Sequence, residues 1–172
     1  MERSLGKGRL VYRGKTFSVR VDPVEVPSGP AVREVVVRAP AAAVLAEYQG
    51  RVAIIRQYRW AVQEWLYELP AGKVEAGESS EQAAERELLE ETGIVVDGIS
   101  RVASFYPTPG YSTERIDLFY GLARFVGAAD PDVDEDIRLE WWNRQDVETG
   151  LANGVVGNGI ALLGLVWWLS RS

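Results

Sequence analysis

Residues Gly72 to Ile94 read GKVEAGESSEQAAERELLEETGI, and their spacing predicts a glycine-rich turn entering a short helix. Positions i, i+3 and i+4 share one helix face, so Glu87, Glu90 and Glu91 crowd together. Like charges one turn apart destabilise a helix by roughly 0.2–0.5 kcal/mol per pair. A solvated acidic face is the usual fate of such clusters. Mutually repelling oxygen ligands become favourable, however, once a divalent cation such as Mg²⁺ sits among them.

The flanks give the helix defined ends. Ser79 with Gln82 three residues on makes a capping-box pattern, and Gly93 stands where a helix closes on a left-handed residue. The helix is expected over Ser80 to Thr92. Ala83 and Ala84 lie one turn before the acids, so no bulky side chain is expected to shield them. Lys73 and Arg86 are the bases of the run. Arg86 can reach Glu90 at i+4, an arrangement that orients one acid and leaves Glu87 and Glu91 free.

The run resembles the Nudix box, a glycine, a glutamate and an Arg-Glu-aliphatic-x-Glu-Glu-x-Gly-aliphatic segment at fixed spacing. Gly72, Glu78, Arg86, Glu87, Leu88, Glu90, Glu91, Gly93 and Ile94 fill its fixed positions. The resemblance implies an α/β class, a Nudix-type α/β/α sandwich with a mixed sheet, and a hydrolase of nucleoside diphosphate derivatives. It also implies metal ligation by Glu87, Glu90, Glu91 and the Ala71 carbonyl. Arg86 is grouped with Glu90 as catalytic, and Mn²⁺ is a possible substitute for Mg²⁺.

Composition agrees with an enzyme that works through carboxylates. The chain has 172 residues, 47% of them hydrophobic, with six Trp and seven Tyr, enough for a real core and against disorder. It contains neither Cys nor His. Disulfides, thiolate metal sites, His general bases and Ser-His triads are thereby excluded. A net charge of −6 without a basic stripe argues against nucleic acid as a partner. MERSLGKGRL carries no apolar signal core, and the apolar stretch Ile160 to Leu169 is too short to span a bilayer. It reads as a buried C-terminal helix in a protein expected to be cytoplasmic and off the membrane.

The strand pattern divides the chain at Ala39-Pro40. Residues 1–39 are expected to form a small β-segment, turning at Pro27-Ser28-Gly29-Pro30, that serves dimerisation. Residues 40–172 form the catalytic domain. Strands are expected at Ala41–Tyr48, Val52–Tyr58, Trp65–Leu69, Arg101–Tyr106, Ile116–Arg124 and Leu139–Asn143. Two helices, Arg144–Asn153 and about Asn158–Ser170, close the chain. Strands around one central helix suggest a mixed sheet between helices.

Further segments narrow the resemblance to the ADP-ribose pyrophosphatase branch. They are Arg56-Gln57-Tyr58-Arg59, Glu68-Leu69-Pro70-Ala71-Gly72, Tyr106 through Tyr111 with Pro109, and Glu114-Arg115. The branch implies that Arg59 meets substrate phosphates, where a planar guanidinium can pair with two oxygens, although an isolated arginine at a strand end is more often a surface charge. Arg33-Glu34 resembles a segment that contacts the nucleotide across a dimer interface. Pro107 and Pro109 either break a strand or stiffen a loop lining the nucleoside pocket, beside Glu114. Tyr106 or Tyr111 either stacks on the base or packs in the core.

Asp130 to Arg138 is an acidic loop, normally solvated. Its Glu135-Asp136-Ile137-Arg138 resembles a late loop carrying a proposed general base, which makes Glu135 the candidate. The implied reaction converts ADP-ribose to AMP and ribose 5-phosphate. Two rivals are a sister activity on GDP-mannose, a flavin dinucleotide or another nucleotide sugar, and a sensor that binds ADP-ribose without cleaving it. Such sensors tend to have lost box carboxylates, and here all three remain. The glycine-rich Asn153–Gly159 stretch and Pro40 depart from the branch pattern and leave the nucleoside preference open.

Overall fold

The N-terminal β-pattern becomes four strands, β1 (Arg3–Ser4), β2 (Arg9–Arg13), β3 (Ser18–Val26) and β4 (Gly29–Val37). The computed structural model describes residues 1–130 and 136–171. The β3 strand pairs antiparallel with each of the other three, in a continuous ladder with β4 from Ser18↔Val37 to Val26↔Gly29. Pro27 and Ser28 turn the chain between them. Met1–Pro40 forms one unit together with Phe105–Ile116. That second segment lies along β4, where Val36 N–H donates to the Tyr111 carbonyl (2.7 Å) and Thr113 N–H to the Val36 carbonyl (3.0 Å).

The second unit comprises Ala41–Ser104 and Asp117–Ser172. Its strands are β5 (Ala41–Tyr48), β6 (Arg51–Arg59), β7 (Glu64–Glu68), β8 (Ala71–Lys73), β9 (Ile94–Phe105), β10 (Ile116–Val126) and β11 (Ile137–Trp142). They form one sheet in the order β11-β6-β5-β10-β9, with β7 on β6 and β8 on β5. A two-residue hairpin joins β5 to β6, with Gln49 (φ 50°) and Gly50 (φ 73°) both left-handed, the geometry that matches strand twist.

Helices α1 (Ser80–Thr92), α2 (Arg144–Ala152) and α3 (Gly159–Leu169) complete the unit. Because strand side chains alternate, β5 serves both faces of the sheet. Ala42, Val44 and Ala46 join Ala83, Ala84 and Leu88 of α1 in one core. Leu45, on the opposite face, sits beside Gly164 of α3. Strands covered on both faces read as continuous apolar runs, as AAAVLA does. The result is the expected α/β/α sandwich.

Three expectations need correction. Helix α1 ends at Thr92, and past the Gly93 cap Ile94 opens β9, a strand that runs to Phe105, whereas the sequence pattern predicts only Arg101–Tyr106. Gly98 (φ 119°) is accommodated inside the strand. Helix α3 is buried along Ala161, Gly164 and Leu165 only, while Leu162, Leu163 and Val166 are exposed. Tyr106 and Tyr111 are also exposed, which removes core packing as their role.

Candidate active site

The acidic helix forms over the expected residues. The Ser79 hydroxyl accepts from Gln82 N–H, the Gln82 side chain accepts from Ser79 N–H, and Gly93 (φ 70°) closes the helix. Ala83 and Ala84 are buried against the sheet, so the same side of the helix that carries them turns Glu87 and Glu91 toward the β7–β8 connection. Glu91 is only 5% exposed.

The acids are not left free, contrary to the sequence expectation. Glu91 Oε2 accepts the Ala71 N–H at 3.1 Å. The Glu87 carboxylate lies on Gly72, where an added Cβ would fall 1.9 Å from Oε1. Arg86 is the hub of the cluster. Its Nη1 donates to Glu87 Oε1 (2.8 Å) and Glu90 Oε2 (3.0 Å), and its Nη2 to Glu78 Oε1 (2.9 Å) and the Lys73 carbonyl (3.1 Å). Glu78 raises the Arg86 pKa above the ordinary guanidinium value, against desolvation, with further help from Glu87 and Glu90. In return, Arg86 first and the Glu75 N–H second hold the Glu78 carboxyl below its usual range. The box glutamate at 78 is thus explained as an anchor for the arginine.

Among the described residues, no three acids converge as they stand on a single point suited to an ion. Arg86 holds Glu87 and Glu90, and Ala71 holds Glu91. The donor chemistry nevertheless fits a hard divalent cation, which takes carboxylate and carbonyl oxygens. Glu87 and Glu91 place their carboxylates on the neighbouring residues Gly72 and Ala71.

Arg59, at the end of β6, donates from Nε and Nη2 to Glu68 Oε1 and Oε2 at 2.8 and 2.6 Å. Glu68 is 3% exposed. Sequence reading gave Glu68 no role, because its partner lies across a hairpin. The second unit therefore gathers Arg59, Ala71, Arg86, Glu87, Glu90 and Glu91 around the Glu68–Gly72 segment and α1.

The remaining candidates sit in the first unit. Arg33 and Glu34 are on β4, where Arg33 Nε donates to Glu2 Oε2 at 3.1 Å. Pro109 is exposed in the loop beside β4, and Glu114 pairs with Arg38 at 3.0 Å. Glu135 lies outside the described residues. Five positions before it, Asp130 N–H donates to the Glu90 carbonyl at 2.9 Å.

The NUDIX domain family matches residues 37–159. The chain belongs to the Nudix family. It is 34% identical over 141 residues to an ADP-ribose pyrophosphatase of Bacillus subtilis, covering 81% of this chain and 76% of that protein. It is 36% identical over 137 residues to a methanol dehydrogenase activator of Bacillus methanolicus, covering 77% of this chain and 74% of the relative. A solved structure, "Crystal structure of ADP compounds hydrolase", superposes with a TM-score of 0.81 at 20% identity, covering 98% of this chain and 97% of that one. This likeness in structure bears on the Nudix fold alone. The protein is a Nudix hydrolase.

Proposed function

We propose that this Nudix hydrolase cleaves the diphosphate of nucleoside diphosphate sugars, with ADP-ribose as substrate and AMP and ribose 5-phosphate as products. The observation that carries the reading is the intact box helix seated on Ala71 and Gly72, in a chain similar to an ADP-ribose pyrophosphatase over most of its length.

Glu87, Glu91, Glu90 and the Ala71 carbonyl are the residues to hold Mg²⁺, with Mn²⁺ as a substitute. When bound, the ion neutralises diphosphate oxygens and acidifies a water. Arg86 keeps Glu87 and Glu90 aligned, and Arg59 pairs with a substrate phosphate. Glu135 accepts the proton of the attacking water. Arg33, Glu34, Pro109 and Glu114 contact the nucleoside end.

The protein is further proposed to be cytoplasmic and a homodimer in which residues 1–39 complete the partner's site. Leu5, Leu10, Tyr12, Phe17 and Val32 of that segment are exposed, and the Tyr12 and Phe17 rings pack together at 5.5 Å, apolar surface that an interface would bury. A panel of ADP-ribose, GDP-mannose, a flavin dinucleotide and other nucleotide sugars, with products separated by chromatography, tests the substrate. ADP-ribose should give the highest kcat/KM. Preference for another member would reassign the substrate, and binding of ADP-ribose without turnover of any member would make the protein a sensor.

A further inference from the structure

We propose that Glu68 is the positioning residue that sets the direction of the Arg59 guanidinium toward the substrate diphosphate. This rests on the assignment of Arg59 to a substrate phosphate. In the β6–β7 ladder Ile55 faces Glu68 and Arg59 faces Glu64. Arg59 and Ile55 are an even number of residues apart, so they share a face of the sheet. Arg59 thus has two carboxylates within the ladder, exposed Glu64 and buried Glu68. Its fork closes on the buried one, at 2.8 and 2.6 Å.

Neutralising a surface arginine does not require a buried partner. Taking a carboxylate out of water is costly, and buried pairs often contribute little net stability. What a bidentate pair does supply is direction, because two parallel bonds fix the guanidinium plane. With Nε and Nη2 turned to Glu68, the Nη1 edge must point the other way. Glu68 is 5% exposed and Arg59 41% by side chain, so the fork is held from the interior while the arginine reaches the surface.

The location points the same way. Three residues beyond Glu68 the same segment donates Ala71 N–H to Glu91, and at Gly72 it receives Glu87. Leu69 and Pro70 between them are buried, and the Pro70 carbonyl accepts Val44 N–H at 3.0 Å. One short, anchored stretch therefore fixes both the arginine and the box acids, and with them the spacing between cation and carboxylates.

A double-mutant cycle on kcat/KM for ADP-ribose tests the proposal. Arg59→Ala should lower kcat/KM strongly, and Glu68→Gln by about 10- to 100-fold, the scale of a misplaced binding group. In the Arg59→Ala background, Glu68→Gln should cost almost nothing more, because its effect passes through the arginine. Equal losses in both backgrounds, or a silent Glu68→Gln beside a damaging Arg59→Ala, would overturn the positioning role alone. A silent Arg59→Ala would remove the phosphate assignment itself. If Glu68→Gln does not fold, Arg59→Lys decides, since it keeps the charge and lacks the fork. Loss comparable to Arg59→Ala supports the proposal, and near-native kcat/KM contradicts it.

Discussion

The Glu87 carboxylate rests on the Cα of Gly72, so close that a Cβ there would lie 1.9 Å from its Oε1. The glycine at the head of the box is therefore a seat for a carboxylate, and it lies in β8 rather than in a turn. Gly72→Ala must displace either Glu87 or β8. We expect kcat/KM to fall by about 10- to 100-fold and stability by about 1–3 kcal/mol, as for other overpacked sites. Gly159→Ala, where a Cβ meets nothing within 4 Å, serves as the control and should be near neutral. Full activity in Gly72→Ala would contradict the seating.

Arg86 makes a pH prediction. The folded Glu78 pKa is lowered, first by Arg86 and then by the Glu75 N–H. Its contribution to stability is present above the unfolded carboxylate pKa and is lost as pH falls through the folded value. Arg86→Gln removes the larger cause. The stability gap between wild type and variant, from urea melts, should be greatest near neutral pH and shrink below about pH 4.3. A gap that is constant or widens in acid would contradict the hub assignment.

Local signals accounted for much of this architecture. The ends of α1 were legible because Ser79, Gln82 and Gly93 are capping residues at fixed offsets. The β5–β6 hairpin was legible because the strands expected at Ala41–Tyr48 and Val52–Tyr58 leave room between them only for a tight turn. Strand β8 was not, since Ala71–Lys73 is too short to show a period, and neither was the first half of β9. The Arg86–Glu90 contact follows from helix geometry, but the Arg86 bonds to Glu78 and Lys73 depend on how the turn folds back. The Arg59–Glu68 fork depends on hairpin register, which the residue types alone do not specify.

Glu135 is expected to act in proton transfer. Glu135→Gln should reduce kcat by about 10²- to 10⁴-fold with little change in KM. Steady-state kinetics across pH check this. Near-native kcat would move the base to a box glutamate.

The proposed homodimer, with residues 1–39 completing the partner's site, predicts complementation between subunits. Arg33→Ala and Glu91→Gln chains, each poorly active alone, should recover part of the activity when co-refolded, because one site of the heterodimer carries neither lesion. No recovery in a verified heterodimer, or full activity in a monomer, would count against a shared site.

In the proposed reaction the α1 carboxylates, seated on Ala71 and Gly72, carry metal-dependent hydrolysis of a nucleoside diphosphate sugar. AMP release from ADP-ribose during Mg²⁺ titration of wild type and Glu91→Gln puts this to the test. The amide oxygen introduced by Glu91→Gln can still accept the Ala71 N–H, so the fold should survive while one ligand charge is lost. Wild type should give Mg²⁺-dependent AMP and ribose 5-phosphate, abolished by excess EDTA, with turnover lower by orders of magnitude in the folded variant. Undiminished AMP release in EDTA, or by Glu91→Gln, would contradict the proposed reaction.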